Sequence, residues 1–356
     1  SFNPIPDGLE KSKESKILGT GCQMWGEHTP NVTRIYYQTF PRLAAYAENG
    51  WTKAADKNYR DFCQRVKNTE RRWRKLGYFN QQPSFSKQDD TFTLWQLPSQ
   101  INTIGNSYVI RTDNHKIIVI DGGVKEEENF LRGFLAALGN VVDCWFVTHP
   151  HADHMGALTK ILEAPKGIGI REICQSTFSD YLMDSEPGSK EAAVKYYETA
   201  KNSGIKSTEV TPGMVFTFGN TTFKILAIKN EDLAGTNPYN NSSVVMRVSD
   251  PVKSVLFLAD TGKEAGDKLL NGPFKDELDC DYIQMSHHGQ QGVSMDFYRT
   301  VKFRACLWPT PTWVYNNDGG KGFNTAHLKT METRETIEAL NITEQYFSFN
   351  GVTKIE

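Results

Sequence analysis

The 356 residues predict an α/β fold: two packed mixed sheets with helices outside, preceded by an N-terminal helical extension. Three observations carry this prediction. From residue 91 onward, short strand-like runs alternate with segments of helical periodicity. The pattern comes twice, strands and then helices in each half, which suits two sheets that bury one face against each other. Several runs, such as Cys144-Trp145-Phe146-Val147 and Ser254-Val255-Leu256-Phe257-Leu258, are apolar without alternation, as strands buried on both faces are.

Taken in order, residues 1–88 form the extension and 89–356 the main domain, joined by a polar linker at Ser84–Asp90. Within the extension, Thr52–Leu76 holds nine Lys or Arg against three acidic residues. Tyr59, Phe62, Val66, Trp73 and Leu76 fall at helical spacing, so this segment reads as a helix with an apolar stripe and a basic, solvated face. In the main domain, strands are expected at Thr91–Leu97, Ser107–Arg111 and Lys116–Ile120, with a hairpin turn at Thr112-Asp113-Asn114. A helix at Glu126–Leu138, a buried strand at Val141–Thr148, a helix at His154–Ala164, a strand at Arg171–Gln175 and a helix at Lys190–Asn202 complete the first half. The second half reads as strands at Met214–Phe218, Thr222–Ile228, Ser243–Val248 and Ser254–Leu258. A helix at Glu264–Leu270, strands at Tyr282–Met285 and Ala305–Trp308, and a helix at Met331–Leu340 follow.

Composition narrows the function. Lys plus Arg number 40 against 42 Asp plus Glu, a net charge of −2, which does not support nucleic-acid binding through bulk charge. The basic segment Lys53–Lys75 is the local exception. No stretch approaches the roughly 20 apolar residues of a membrane span. The six cysteines show no CxxC spacing, and Cys144 and Cys306 sit in apolar strand-like runs, so reduced core thiols are expected. They lean towards a cytoplasmic location. Ser1, without an initiator Met or a signal pattern, reads as a processed or trimmed chain, which leaves a secreted origin open.

Five of the eight histidines fall in two clusters. The first, His149-Pro150-His151-Ala152-Asp153-His154, follows the apolar strand directly. His149 and His151 are two apart in extended backbone, and Pro150 favours that conformation, so both rings point to one side and can share a metal. Asp153 and His154 come on the turn into a helix, placed for a second metal beside the first. Imidazole and carboxylate donors suit Zn²⁺. The second cluster, Ser286-His287-His288-Gly289, again follows a strand. Between them, Asp260 ends the apolar run Ser254–Leu258, where a carboxylate is costly unless it is paired or metal-bound. The extension holds only His28, and no metal ligand is expected from it.

These segments resemble the metallo-β-lactamase superfamily, with its αββα sandwich, over roughly Thr91–Glu356. His149–His154 matches its HxHxDH motif, Asp260 its bridging aspartate, and His287-His288-Gly289 its last ligand loop. Asp121-Gly122-Gly123 matches a strand-end turn whose aspartate holds the histidine loop. In motif style the likeness is to the hydrolase domain of DNA-uptake (competence) proteins and to phosphorylcholine esterases, the former sharing an Asn-x-x-Ser segment like Asn240–Ser243. The resemblance implies a metal set of His149, His151, Asp153, His154, Asp260, His287 and His288 holding two Zn²⁺ per chain. An iron redox relative would carry Glu in place of His151. One departure stands out: no histidine lies between His154 and His287, so the first metal lacks its usual third imidazole. Either His287 and His288 serve one metal each, which is the expectation, or one serves and Asp260 and water complete the first site.

The expected activity is hydrolysis of phosphodiester or phosphoester substrates by a metal-bridging hydroxide. Asp153 or His327, the latter in the polar loop before the last helix, would shuttle the proton. Two other readings stay open: hydrolysis of another ester, lactone or thioester on the same site, and a zinc-binding interaction protein that works through its basic helix.

Overall fold

The computed structural model describes residues 91–356 without interruption. Nearer the N-terminus it describes residues 5, 8–24, 35, 36, 39, 40, 42–59, 61–63, 65, 66, 69 and 73. The chain divides into two compact units, Ser1–Gln88 and Asp89–Glu356.

The larger unit holds two seven-stranded sheets. The first runs Thr353–Ile355, Thr93–Gln96, Ser107–Arg111, Ile117–Asp121, Cys144–Val147, Glu172–Gln175, Lys206–Glu209. The second runs Glu344–Phe347, Ala305–Trp308, Tyr282–Gln284, Ser254–Phe257, Val245–Ser249, Thr221–Ala227, Val215–Phe218. Both follow one plan, antiparallel pairings on one side and parallel pairings on the other. Parallel neighbours need crossovers. The helices Glu128–Ala137, Ala152–Glu163 and Pro187–Asn202 supply them in the first half. Lys263–Leu270, Met295–Thr300 and Thr330–Ala339 do so in the second.

Burial on both faces of each sheet explains why the runs lack alternation. Between the sheets, Ile118, Ile120 and Phe146 meet Phe223, Phe257 and Leu307. Phe146 stacks on Phe223 with ring centroids 5.5 Å apart, and Tyr108 stands edge-on to Phe257 at 5.0 Å. On the outer face of the first sheet, Val119, Trp145 and Ile173 pack on Leu131, Leu158 and Tyr196. On that of the second, Leu256, Ile283 and Trp308 pack on Leu269, Phe297 and Ile337. The layers are therefore helix, sheet, sheet, helix.

Three features differ from the sequence reading. Val141–Thr148 is not one strand: Val141–Val142 pairs with Gly169–Ile170 in a separate small sheet, and only Cys144–Val147 joins the main one. Asp143 makes the break, because its carboxylate accepts the Ile117 N–H at 3.0 Å and the Lys116 ammonium at 3.1 Å. Second, the C-terminal strand Thr353–Ile355 crosses back to the first half, pairing Leu94 with Ile355. Third, Lys206–Glu209 is a mostly exposed edge strand whose polar sequence carried no strand signal.

In the N-terminal unit, Arg42–Trp51 is helical. Of the residues expected on the apolar stripe, Phe62 and Val66 are buried, but Tyr59 is 73% exposed and faces solvent instead. Much of Thr52–Leu76, and the linker Ser84–Asp90, lie outside the described residues. Among the described residues no helix is long and apolar enough to cross a membrane.

Candidate metal centre

The chemistry-bearing residues sit where parallel strands end, the usual place for ligands in such sheets. Asp121 closes Ile117–Asp121, His149 follows Cys144–Val147, Asp260 follows Ser254–Phe257, and His287 and His288 follow Tyr282–Gln284. Three of these turns place non-glycine residues in the left-handed region: Asp121 (φ 58°), Ala259 (φ 49°), and His287 (φ 50°) with His288 (φ 55°). Such conformations cost on the order of 1–3 kcal/mol each and persist where surrounding structure enforces them. At Gly289 (φ 79°) an added Cβ would come within 2.5 Å of the Trp308 ring, so the loop after the paired histidines requires glycine.

Among the described residues two groups of donor atoms form. Asp153, His154, Asp260 and His288 make one, and His149, His151 and Asp260 the other. Asp260 belongs to both. Its Oδ1 lies 3.2 Å from His154 Nε2, and its Oδ2 lies 3.4 Å from His288 Nε2. Asp153 Oδ2 is 3.0 Å from His288 Nε2. His149 Nε2 and His151 Nδ1 face each other at 2.9 Å.

The outer contacts fix which ring nitrogen carries a proton. The Asp121 carboxylate, 2.7 Å from His154 Nδ1, can only accept. The same holds for the Pro309 carbonyl 2.9 Å from His288 Nδ1 and the Glu186 carboxylate 2.7 Å from His151 Nε2. Thr148 Oγ1 already donates to Asp121 Oδ2, so at 3.2 Å it accepts from His149 Nδ1. Each inner nitrogen thus turns a lone pair towards carboxylate oxygens or another lone pair. His154 Nε2 and Asp260 Oδ1 are buried with no hydrogen-bond partner. Such an arrangement is repulsive without a cation, and the donors fit a divalent ion.

The ionisation of these groups tells the same story. Burial holds His149 well below the usual imidazole range, with His154 and His151 adding to the effect. Burial also opposes a charge on His288 and His154, but the carboxylates prevail. Asp260 and Asp153 push His288 up to about 10, and Asp260, Asp121 and Asp153 raise His154 well above its ordinary value. Asp260 is held well below the carboxylate range despite its burial, chiefly by His288 and His154. The carboxylates thus draw positive charge to this point, which a metal held by neutral imidazoles would supply.

Six of the sequence-derived candidates, His149, His151, Asp153, His154, Asp260 and His288, come together in these groups. His287 stands beside them but in neither: its Nε2 is 3.8 Å from Asp260 Oδ2 and 3.4 Å from the Asn240 amide. His327 is exposed in the loop before Thr330–Ala339 and also in neither. Sequence reasoning missed Glu186, Tyr239 and the Pro309 carbonyl, which touch the histidines from segments without any motif, whereas Ser243, 3.4 Å from His149 Nδ1, belongs to the Asn-x-x-Ser segment already singled out. Beside the paired-histidine loop lies a cleft of about 510 Å³, whose walls carry Lys263, Arg299 and Lys329 together with Glu264, Asp296 and Glu332.

Comparison with known proteins gives two family matches. Residues 1–54 match the glycosyl hydrolase family 20 catalytic domain. The chain is 40% identical over 68 residues to a beta-hexosaminidase of Porphyromonas gingivalis, a stretch that is 19% of this chain and 9% of that protein. The chain thus spans under a tenth of that relative's length. Among solved structures, the metallo-beta-lactamase fold protein YhfI from Bacillus subtilis is 12% identical, with a TM-score of 0.49 over 75% of this chain and 100% of that one. A diphosphatase of the PhnP family is 13% identical, with a TM-score of 0.42 over 74% and 97%. The diiron β-hydroxylase CmlA from Streptomyces venezuelae is 13% identical, with a TM-score of 0.48 over 88% and 62%. Residues 102–302, more than half of the chain, match the metallo-beta-lactamase superfamily model. With that match and the paired donor groups together, the chain belongs to the metallo-beta-lactamase superfamily.

Proposed function

We propose that this chain is a two-zinc hydrolase of phosphodiester or phosphoester substrates. The observation that carries the reading is the place of Asp260 in both donor groups. His149, His151 and Asp260 would hold one ion, with His287 the nearby imidazole available to complete that group. Asp153, His154, Asp260 and His288 would hold the other. A donor set of imidazoles and carboxylates without thiolate suits zinc. When bound, two such ions supply Lewis acidity at both the attacking and the leaving oxygen, a demand that phosphoryl transfer makes.

The chain's own residues supply alignment and proton handling. Asp121, Pro309 and Thr148 fix the tautomers of His154, His288 and His149. For the proton exchange with the leaving group we keep Asp153, whose side chain is 15% exposed and whose Oδ2 lies 3.0 Å from His288 Nε2. His327 is exposed and outside both groups, and no proton step is assigned to it. The cleft beside the histidine loop does not add to this reading, because its Lys263, Arg299 and Lys329 are paired with Asp267 at 2.8 Å, Asp296 at 2.9 Å and Glu332 at 3.7 Å. The match of residues 1–54 to a glycosyl hydrolase family 20 model favours a second, narrower reading, in which the ester is borne on a carbohydrate.

The test is to assay zinc-loaded protein on bis(p-nitrophenyl) phosphate, a phosphocholine ester, a hexosamine phosphodiester, a lactone and a thioester, each with and without chelator. Chelator-sensitive release from the phosphodiesters is expected. Turnover of the lactone or thioester alone would overturn the phosphoester reading.

A further inference from the structure

His151 is the histidine of the His149–His151–Asp260 group that an outside arm holds. Glu186 Oε1 lies 2.7 Å from His151 Nε2, and the same oxygen accepts from Ser189 Oγ at 2.5 Å. The Tyr239 ring stacks on the imidazole with centroids 5.1 Å apart and planes 22° apart. Tyr239 is itself fixed by its hydroxyl on the Met183 carbonyl at 3.2 Å and by the edge of Phe178 at 5.0 Å. Glu186 stands just before the helix Pro187–Asn202, an element that contributes nothing to either donor group. This is a carboxylate brought in from outside for one imidazole.

The two groups are built alike in this respect. In one, His154 is backed by the Asp121 carboxylate at 2.7 Å; in the other, His151 is backed by Glu186 at the same distance. The other two histidines, His149 and His288, lean on neutral hydroxyl and carbonyl groups. Resting on the two-zinc reading above, we infer that Glu186 is a positioning residue for the His149–His151–Asp260 group. It keeps the proton of His151 on Nε2, so that Nδ1 presents its lone pair beside His149 Nε2, and its charge strengthens that nitrogen as a donor. Carboxylates in this position typically contribute 10–100-fold to metal affinity. The His149–His151–Asp260 group, with three donors against four, is where such support counts most.

The test uses the full chain as parent, Glu186→Ala and Glu186→Gln, each stripped of metal and titrated with zinc alone against a chromophoric chelator. Thermal unfolding of the metal-free forms checks the fold. With Glu186→Ala, one zinc equivalent is expected to weaken by about 10–100-fold while the other stays within about threefold. Glu186→Gln, which keeps an acceptor but not the charge, is expected to weaken the same equivalent by less. Two equivalents bound with parental affinity would overturn the proposal, as would equal weakening of both. A parent that takes up a single equivalent would instead overturn the two-zinc reading on which it rests.

Discussion

Asp121 Oδ2 accepts the Nδ1 proton of His154 at 2.7 Å, and both side chains are fully buried. The same carboxylate also accepts the Thr148 N–H and hydroxyl, each at 2.8 Å, and the Asn106 amide at 2.7 Å. One residue at the end of the Ile117–Asp121 strand therefore fixes both the start of the histidine loop and the orientation of its last imidazole. Asp121→Asn keeps the shape but brings an NH₂ where only acceptors are wanted. It is expected to loosen the metal of the Asp153–His154–Asp260–His288 group by about 10–100-fold. Zinc titration of the variant against the parent checks this, and unchanged affinity would refute it.

The legible parts of this fold were those where packing writes directly into composition. Cys144–Val147 and Ser254–Phe257 are buried on both faces, so their apolar runs announce them. The histidine motif was legible because its spacing is the chemistry. Glu186 was not, because its partner is 35 residues away and only the folded crossover joins them. Nor was Thr353–Ile355, a short strand whose place depends on Leu94 at the far end of the domain. Lys206–Glu209 lies at an exposed sheet edge, where nothing demands apolar residues.

Asp260→Ala is expected to weaken both donor groups and to cost at least one metal, since each group loses a member. The strands around it are held by apolar packing on both faces, so the fold should remain. Elemental analysis of zinc-reconstituted protein should fall from about two ions to one or none, with turnover lost. A variant retaining two ions would show that Asp260 is not shared between them.

The paired histidines should separate. His288 Nε2 stands 3.0 Å from Asp153 and 3.4 Å from Asp260, with its other nitrogen on Pro309. His287 Nε2 stands 3.8 Å from Asp260, and its Nδ1 is buried without a partner. His288→Ala is therefore expected to empty the group with Asp153 and His154, and His287→Ala to weaken the group with His149 and His151. Both should reduce turnover severely. Metal counting on the two variants decides it: a normal count in His287→Ala would make that ring a substrate contact instead of a ligand.

Lys253 gives a prediction about stability and pH, remote from the metal donors. Its side chain is 3% exposed, with Asp250 3.9 Å away, and its ammonium donates to the Phe92 carbonyl at 2.6 Å and to Thr91 Oγ1. Burial lowers its pKa to about 8 even though Asp250 opposes the shift. In the unfolded chain a lysine titrates near 10.4. Below pH 8 both states are protonated, and the folded state carries the full cost of a buried charge. Above about 10.4 both are neutral and the cost is gone. Between the two, the unfolded chain binds more protons, so this residue's contribution to stability rises with pH, by at most about 3 kcal/mol. Lys253→Met removes the titrating group at similar length. The difference in unfolding free energy, parent minus variant, is therefore expected to increase from pH 8 to pH 10 in urea titrations. Comparing the two proteins at each pH cancels every other group that ionises in that window. Parallel curves would mean that Lys253 keeps an ordinary pKa in the folded chain.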